Sequence, residues 1–144
     1  VVGLMCLAVF VHGRSYSADE KKTLVAGARA LGAAFQKVNF LRDLAADFDR
    51  LGRSYFPNVN VNNFDEATKE RLVADIQEDL ATSSHSLPLL PMGARRAVAA
   101  AQLLFQELNQ KISRTPAQEL RTRRISVSTS RKLVLLARAL RGVA

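Results

Sequence analysis

Four residues with oxygen-bearing side chains, Gln36, Asn39, Asp43 and Asp47, stand at offsets 0, 3, 7 and 11 in the stretch FQKVNFLRDLAADFDRLGRSYFP. At about 100° per residue, those offsets share one face of a helix. Leu31, Phe35, Val38 and Leu41 cover other directions, so the helix is expected to be buried. Two aspartates four residues apart repel by roughly 0.2–0.5 kcal/mol even on a wet helix. An unpaired carboxylate in a core costs far more. A divalent cation reverses the sign of that argument. The donors are all oxygens, with no His or Cys, which suits Mg²⁺ or Mn²⁺ rather than zinc. Arg42, Arg50 and Arg53 lie close in sequence, and guanidinium groups match phosphate geometry. The chemistry implied is metal-assisted handling of a phosphorylated substrate.

The D-x-x-x-D spacing alone is weak. Seven aspartates in 144 residues give about 0.3 such pairs by chance. Asp75 and Asp79 form a second pair, but Leu72, Ile76 and Leu80 make a separate apolar stripe beside them. That pair reads as an ordinary solvated helix face.

The elements around the stripe are helical. Ala, Leu, Arg, Glu and Gln dominate the periodic segments, and β-branched residues alternate with polar ones nowhere over a long stretch. The chain is read as all-α, one helical domain over 1–144. Residues 1–12 are the end of an apolar helix stopped near Gly13. A long helix follows, started by a Ser17–Glu20 capping box, in which Gly27 and Gly32 mark close packing or a kink. A loop with Pro57 leads to a third helix capped by Asp65. SLPLLPMG is a linker, and a fourth helix starts at Ala94. A short helix has Pro116 in its first turn, and a last one ends at Gly142.

Composition narrows the function. The single Cys6 forms no internal disulfide, so a reducing, cytoplasmic compartment is expected, with Cys6 a small core residue. The first 11 residues are too short an apolar run to span a bilayer and lack the basic leader of a secretory signal. The net charge of +8 lies wholly in residues 111–144, where nine Lys/Arg face Glu119 alone. Such an excess points to an anionic partner. A nucleic acid is not expected, because the basic tail lacks interleaved aromatics and a recognition motif. In SRKLVLLARALRG, Leu133, Leu136, Ala137 and Leu140 share one helical face, with Arg131, Arg138 and Arg141 around the other. That pattern fits packing on the domain or peripheral association with an anionic membrane. His12 and His85 read as loop or helix-end residues, Tyr55 as a packing residue, and Ser126, Ser128, Thr129 and Ser130 as a capping region.

ALGAAFQKVNFLRDLAADFDRLGRSYFP resembles the second aspartate-rich region of the squalene/phytoene synthase family. The family pattern is a Gln, an Asn, Arg-Asp-x-x-x-Asp, a spacer, an Arg and Tyr-x-Pro. Gln36, Asn39, Arg42, Asp43, Asp47, Arg53, Tyr55 and Pro57 meet it. VVGLMC is similar to the end of the family's Val-Ala-Gly-x-Val-Gly helix at Val2 and Gly3, and RRISVSTSRKLVLL to its C-terminal segment at Arg124 and Lys132. The likeness is strongest to phytoene synthases of bacterial carotenoid pathways. It implies a C-terminal half of an isoprenoid-synthase helical bundle. By the resemblance, Asn39, Asp43 and Asp47 are Mg²⁺ ligands, Gln36, Arg42 and Arg53 contact prenyl diphosphate, and Val2 and Gly3 line a hydrocarbon tunnel. The implied reaction joins two prenyl diphosphates head to head through a cyclopropyl intermediate.

Two departures stand out. The family's other aspartate motif is absent, so the chain reads as a fragment with one wall of the site, inactive alone. Phe105 stands where many members carry Tyr, and reads as core. Squalene or dehydrosqualene formation is the rival reaction. A non-catalytic relative acting in assembly is the rival of another kind, against which the intact Asp43 and Asp47 count.

Overall fold

A computed structural model describes residues 1–50 and 64–142, with side chains described over 1–44 and 64–142. Every regular element among the described residues is helical. They run α1 (Val2–Phe10), α2 (Ala18–Arg50), α3 (Glu66–Ser84), a 3₁₀ turn (Leu87–Leu89), α4 (Met92–Arg114), α5 (Ala117–Leu120) and α6 (Thr129–Leu140).

The caps are local chemistry. Ser17 Oγ accepts from the Glu20 N–H at 3.2 Å, and Glu20 Oε2 accepts from the Ser17 N–H at 2.8 Å. That reciprocal pair satisfies two amides that α2 leaves open. Asp65 caps α3 through the Thr68 N–H at 2.8 Å. Ser128 Oγ accepts from the Arg131 N–H at the start of α6. Gly13 (φ 72°) and Gly142 (φ 78°) take the left-handed conformation just past α1 and α6. His85 is the C-cap of α3. α4 begins at Met92, two residues before the expected start, with Pro91 at its N-cap. Pro91 and Pro116, as N-caps, have no N–H to leave unpaired.

α2 is the central element. It buries Ala34, Val38, Leu41 and Leu44 against Leu72, Ile76 and Leu80 of α3 and Leu108 and Ile112 of α4. A second cluster joins Leu24 of α2, Leu87, Leu90, Ala99 of α4 and Ala139 of α6, with Leu7 and Phe10 of α1 packed on it. Buried Lys69 of α3 donates from Nζ to the carbonyls of Ser113 (3.1 Å) and Thr115 (2.8 Å) at the end of α4. It also pairs with Glu66, whose Oε2 accepts from the Ala117 N–H of α5 at 2.9 Å.

Two expectations need correction. Asp75 and Asp79 are not merely solvated: both accept from Lys37 Nζ, at 2.5 and 2.7 Å, tying α3 to α2. α6 packs through Leu135 and Ala139, while Leu133, Leu136, Ala137 and Leu140 are exposed. Its packing face is therefore not the one that the sequence pattern suggested.

Candidate active site

The site starts from a close helix crossing. A Cβ on Gly3 of α1 would stand 2.2 Å from the Ala28 carbonyl oxygen of α2, and Gly3 Cα lies 3.8 Å from the position of a Cβ on Gly32. Only glycine at position 3 lets the two backbones approach this far. One turn away, a Cβ on Gly27 would stand 2.2 Å from Ser86 Oγ. Gly27 thus marks close packing, as the sequence suggested, whereas a Cβ on Gly32 would make only an ordinary contact at 3.8 Å.

Between α1, α2 and α4 lies a cavity of about 620 Å³. Its lining is mostly apolar, including Val2, Leu7, Phe10, Leu24, Leu31, Leu90 and Val98. Gln36 and Asn39 line it as well, and so do Gly3 and Arg29. Phe35, another lining residue, stacks on Phe105 of α4 with centroids 3.8 Å apart and 16° between planes. Phe105 is half-buried against the core, so it backs the wall. Cys6 is exposed and lines the cavity, which corrects its expected place in the core. The reason is that α1 buries no residue fully: its apolar sides face the cavity and solvent.

The polar stripe is not buried either. Gln36 is exposed, and Asn39 and Asp43 are half-buried. α2 buries the side that carries Ala34, Val38, Leu41 and Leu44, which turns the stripe toward the open edge of the cavity. Asp43 is one turn beyond Asn39 and is not part of the cavity lining. Arg42 donates to both its oxygens, from Nε to Oδ1 at 3.2 Å and from Nη2 to Oδ2 at 2.6 Å. Arg124 Nε donates to Oδ1 at 2.6 Å. Burial pushes the Asp43 carboxyl up, but Arg42 and Arg124 outweigh it and hold the group below the usual carboxylate range. Asp47 lies on α2 a turn further, with its side chain outside the described residues, as are Arg50, Arg53, Tyr55 and Pro57.

Asn39 and Asp43 are hard oxygen donors one turn apart, and two guanidinium groups already gather at Asp43. The donor chemistry of Asn39 and Asp43 fits Mg²⁺, and the two guanidinium groups fit phosphate. Among the described residues no group of three His, Cys, Asp or Glu side chains stands close enough to hold a metal by itself. Sequence reading placed Arg124 in a family segment without linking it to Asp43. No spacing could reveal that contact across 81 residues. Lys37, Arg29 and Ser86 were missed for the same reason.

The sequence pattern of the squalene/phytoene synthase family matches residues 1–131, and the chain belongs to that family. It is 31% identical over 124 residues to a 15-cis-phytoene synthase of Enterobacter agglomerans, covering 76% of this chain and 41% of that protein. It is 25% identical over 156 aligned positions to a bifunctional lycopene cyclase/phytoene synthase of Pyrenophora tritici-repentis, covering 96% of this chain and 26% of that protein. The chain thus spans less than half the length of either relative. No solved structure matches it.

Proposed function

We propose that this chain supplies one wall of a prenyltransferase that joins two geranylgeranyl diphosphates head to head, giving phytoene through a cyclopropyl diphosphate. The observation that carries the reading is the placement of Gln36 and Asn39 on the edge of an apolar cavity, one turn before the Asp43–Arg42–Arg124 cluster. A diphosphate head and a long hydrocarbon tail need that order of groups. From Asn39 to Leu24 the cavity follows fifteen residues of α2, about 22 Å. That length suits a C20 chain, about 20 Å when extended with C–C bonds of about 1.5 Å.

Each group has a role. Arg42 holds charge against the leaving diphosphate and orients Asp43. Gln36 and Asn39 offer hydrogen-bond donors and acceptors at the cavity edge. Leu31 and Phe35 keep water from a carbocation, which water would quench. Mg²⁺ bound at Asn39, Asp43 and Asp47 would neutralise diphosphate charge.

The test is Asp43→Asn in the intact protein. Product formation should fall by orders of magnitude while circular dichroism stays unchanged. Asp75→Asn removes an equal charge outside the site and should keep near wild-type turnover. Equal activity of the two variants overturns the assignment.

A further inference from the structure

The C-terminal helix carries an apolar surface that its own packing does not use. α6 buries only Leu135 and Ala139. Leu133 is 63% exposed, Val134 54%, Leu136 46% and Leu140 51%. At 100° per residue, Leu136, Leu140, Leu133 and Ala137 follow one another across an arc opposite the buried pair. Lys132 stands on one edge of that arc. Arg141 and Arg138 stand on the other, with Arg131 beyond them, paired to Glu107 at 2.8 Å. α6 contains no acidic residue.

We propose that this outward face of α6 docks on a membrane surface containing anionic lipid. The order of groups around the helix is the order of depth in a bilayer interface. Leucines point away from the protein body and enter the acyl boundary, while cations at both edges reach the headgroups. Twelve residues, about 18 Å, lie in the membrane plane. No described helix is long and apolar enough to cross a membrane. A second copy is the poorer occupant. Two such faces set against each other bring cation against cation with no acid to pair them. The buried side of α6 adds a position. Ala139 shares its cluster with Leu24 and Leu90, which line the apolar end of the cavity. The docked helix therefore sits behind the part of the cavity lined by Leu24 and Leu90.

The inference does not depend on the reaction, and binding tests it directly. The intact protein is co-sedimented with phosphatidylcholine vesicles, with and without phosphatidylglycerol, at low and high salt. Binding should need the anionic lipid and fall with salt. Leu133→Gln/Leu136→Gln/Leu140→Gln and, separately, Lys132→Glu/Arg141→Glu should each lose about tenfold or more of the bound fraction. Both should keep the wild-type Tm. Binding indifferent to lipid charge, or unchanged in either variant, overturns the proposal. So does a large fall in Tm of the glutamine variant, because it shows that protein covers the face.

Discussion

Arg124 Nε stands 2.6 Å from Asp43 Oδ1, joining the segment before α6 to the polar stripe of α2 across 81 residues of sequence. The same oxygen accepts from Arg42 Nε, so it is shared between two guanidinium groups. A cation that takes Asp43 as a ligand must displace part of that arrangement. Arg124 is the one able to leave, because its side chain is 63% exposed against 25% for Arg42.

A first prediction follows for metal binding without diphosphate. An ion pair of that exposure contributes roughly 0.2–1 kcal/mol. Arg124→Gln should therefore tighten Mn²⁺ binding, read by electron paramagnetic resonance, by up to about fivefold. Pyrophosphate binding should weaken in the same variant, because a guanidinium has been lost. Unchanged Mn²⁺ affinity would show that Asp43 is not where the metal binds.

The second concerns alkaline stability. Burial lowers the Lys37 pKa, but hydrogen bonds to Asp75 and Asp79 outweigh it and hold the group above its ordinary 10.5. The folded state therefore favours the charged ammonium. The stabilisation is fully present below the ordinary lysine value and is lost as pH rises through the higher folded one. In urea titrations the wild-type midpoint should fall in that alkaline window. Lys37→Met should start about 1 kcal/mol lower at neutral pH and show no such fall. Parallel pH curves for the two proteins would rule out the linkage.

The helices were legible because their signals are local. A Ser17–Glu20 box, Asp65, Ser128 and Gly142 each act within four residues, and each falls where the sequence put it. Arrangement was less legible. The 3.6-residue period cannot say which of two apolar arcs on α6 packs, and Leu135 with Ala139 won over the broader leucine face. Nor does periodicity report cross-helix partners: Asp75 and Asp79 read as solvated until Lys37 is placed beside them. At the site, Gln36, Asn39 and Asp43 were visible as a stripe, but whether it faced the core or the edge of a cavity depended on α1 and α4.

The third prediction tests the joint between α3, α4 and α5. Lys69 is 2% exposed, and its ammonium serves two carbonyls at the end of α4. Lys69→Met keeps the stem and leaves both acceptors without a donor. Each buried group left unsatisfied costs about 1–3 kcal/mol, so the variant should lose about 2–4 kcal/mol in urea unfolding. Glu66→Gln should lose far less than Lys69→Met, since Glu66 is 53% exposed and its ion pair is screened by solvent. Equal losses would place the energy in the ion pair rather than in the capped carbonyls.

The last prediction separates a glycine that packs from one that merely lies nearby. A Cβ at position 3 meets the Ala28 carbonyl oxygen at 2.2 Å and its carbon at 3.1 Å, both backbone atoms that cannot swing aside. Gly3→Ala must push α1 off α2. Overpacking of this kind costs about 1–3 kcal/mol. α1 buries no residue fully, so the cost should be met by displacement of α1 rather than by unfolding of the bundle. The cavity wall formed by Val2, Leu7 and Phe10 then moves with it. Gly32→Ala faces nothing closer than 3.8 Å, an ordinary contact, and should be tolerated. Gly93, in the first turn of α4, has open space around it, and Gly93→Ala should be tolerated. Binding of a fluorescent prenyl diphosphate analogue to the intact protein reads the difference. Gly3→Ala should lose at least tenfold in affinity with its helix content kept, while Gly32→Ala stays within about twofold of wild type. If both variants bind like wild type, the crossing at Gly3 does not set the shape of the cavity.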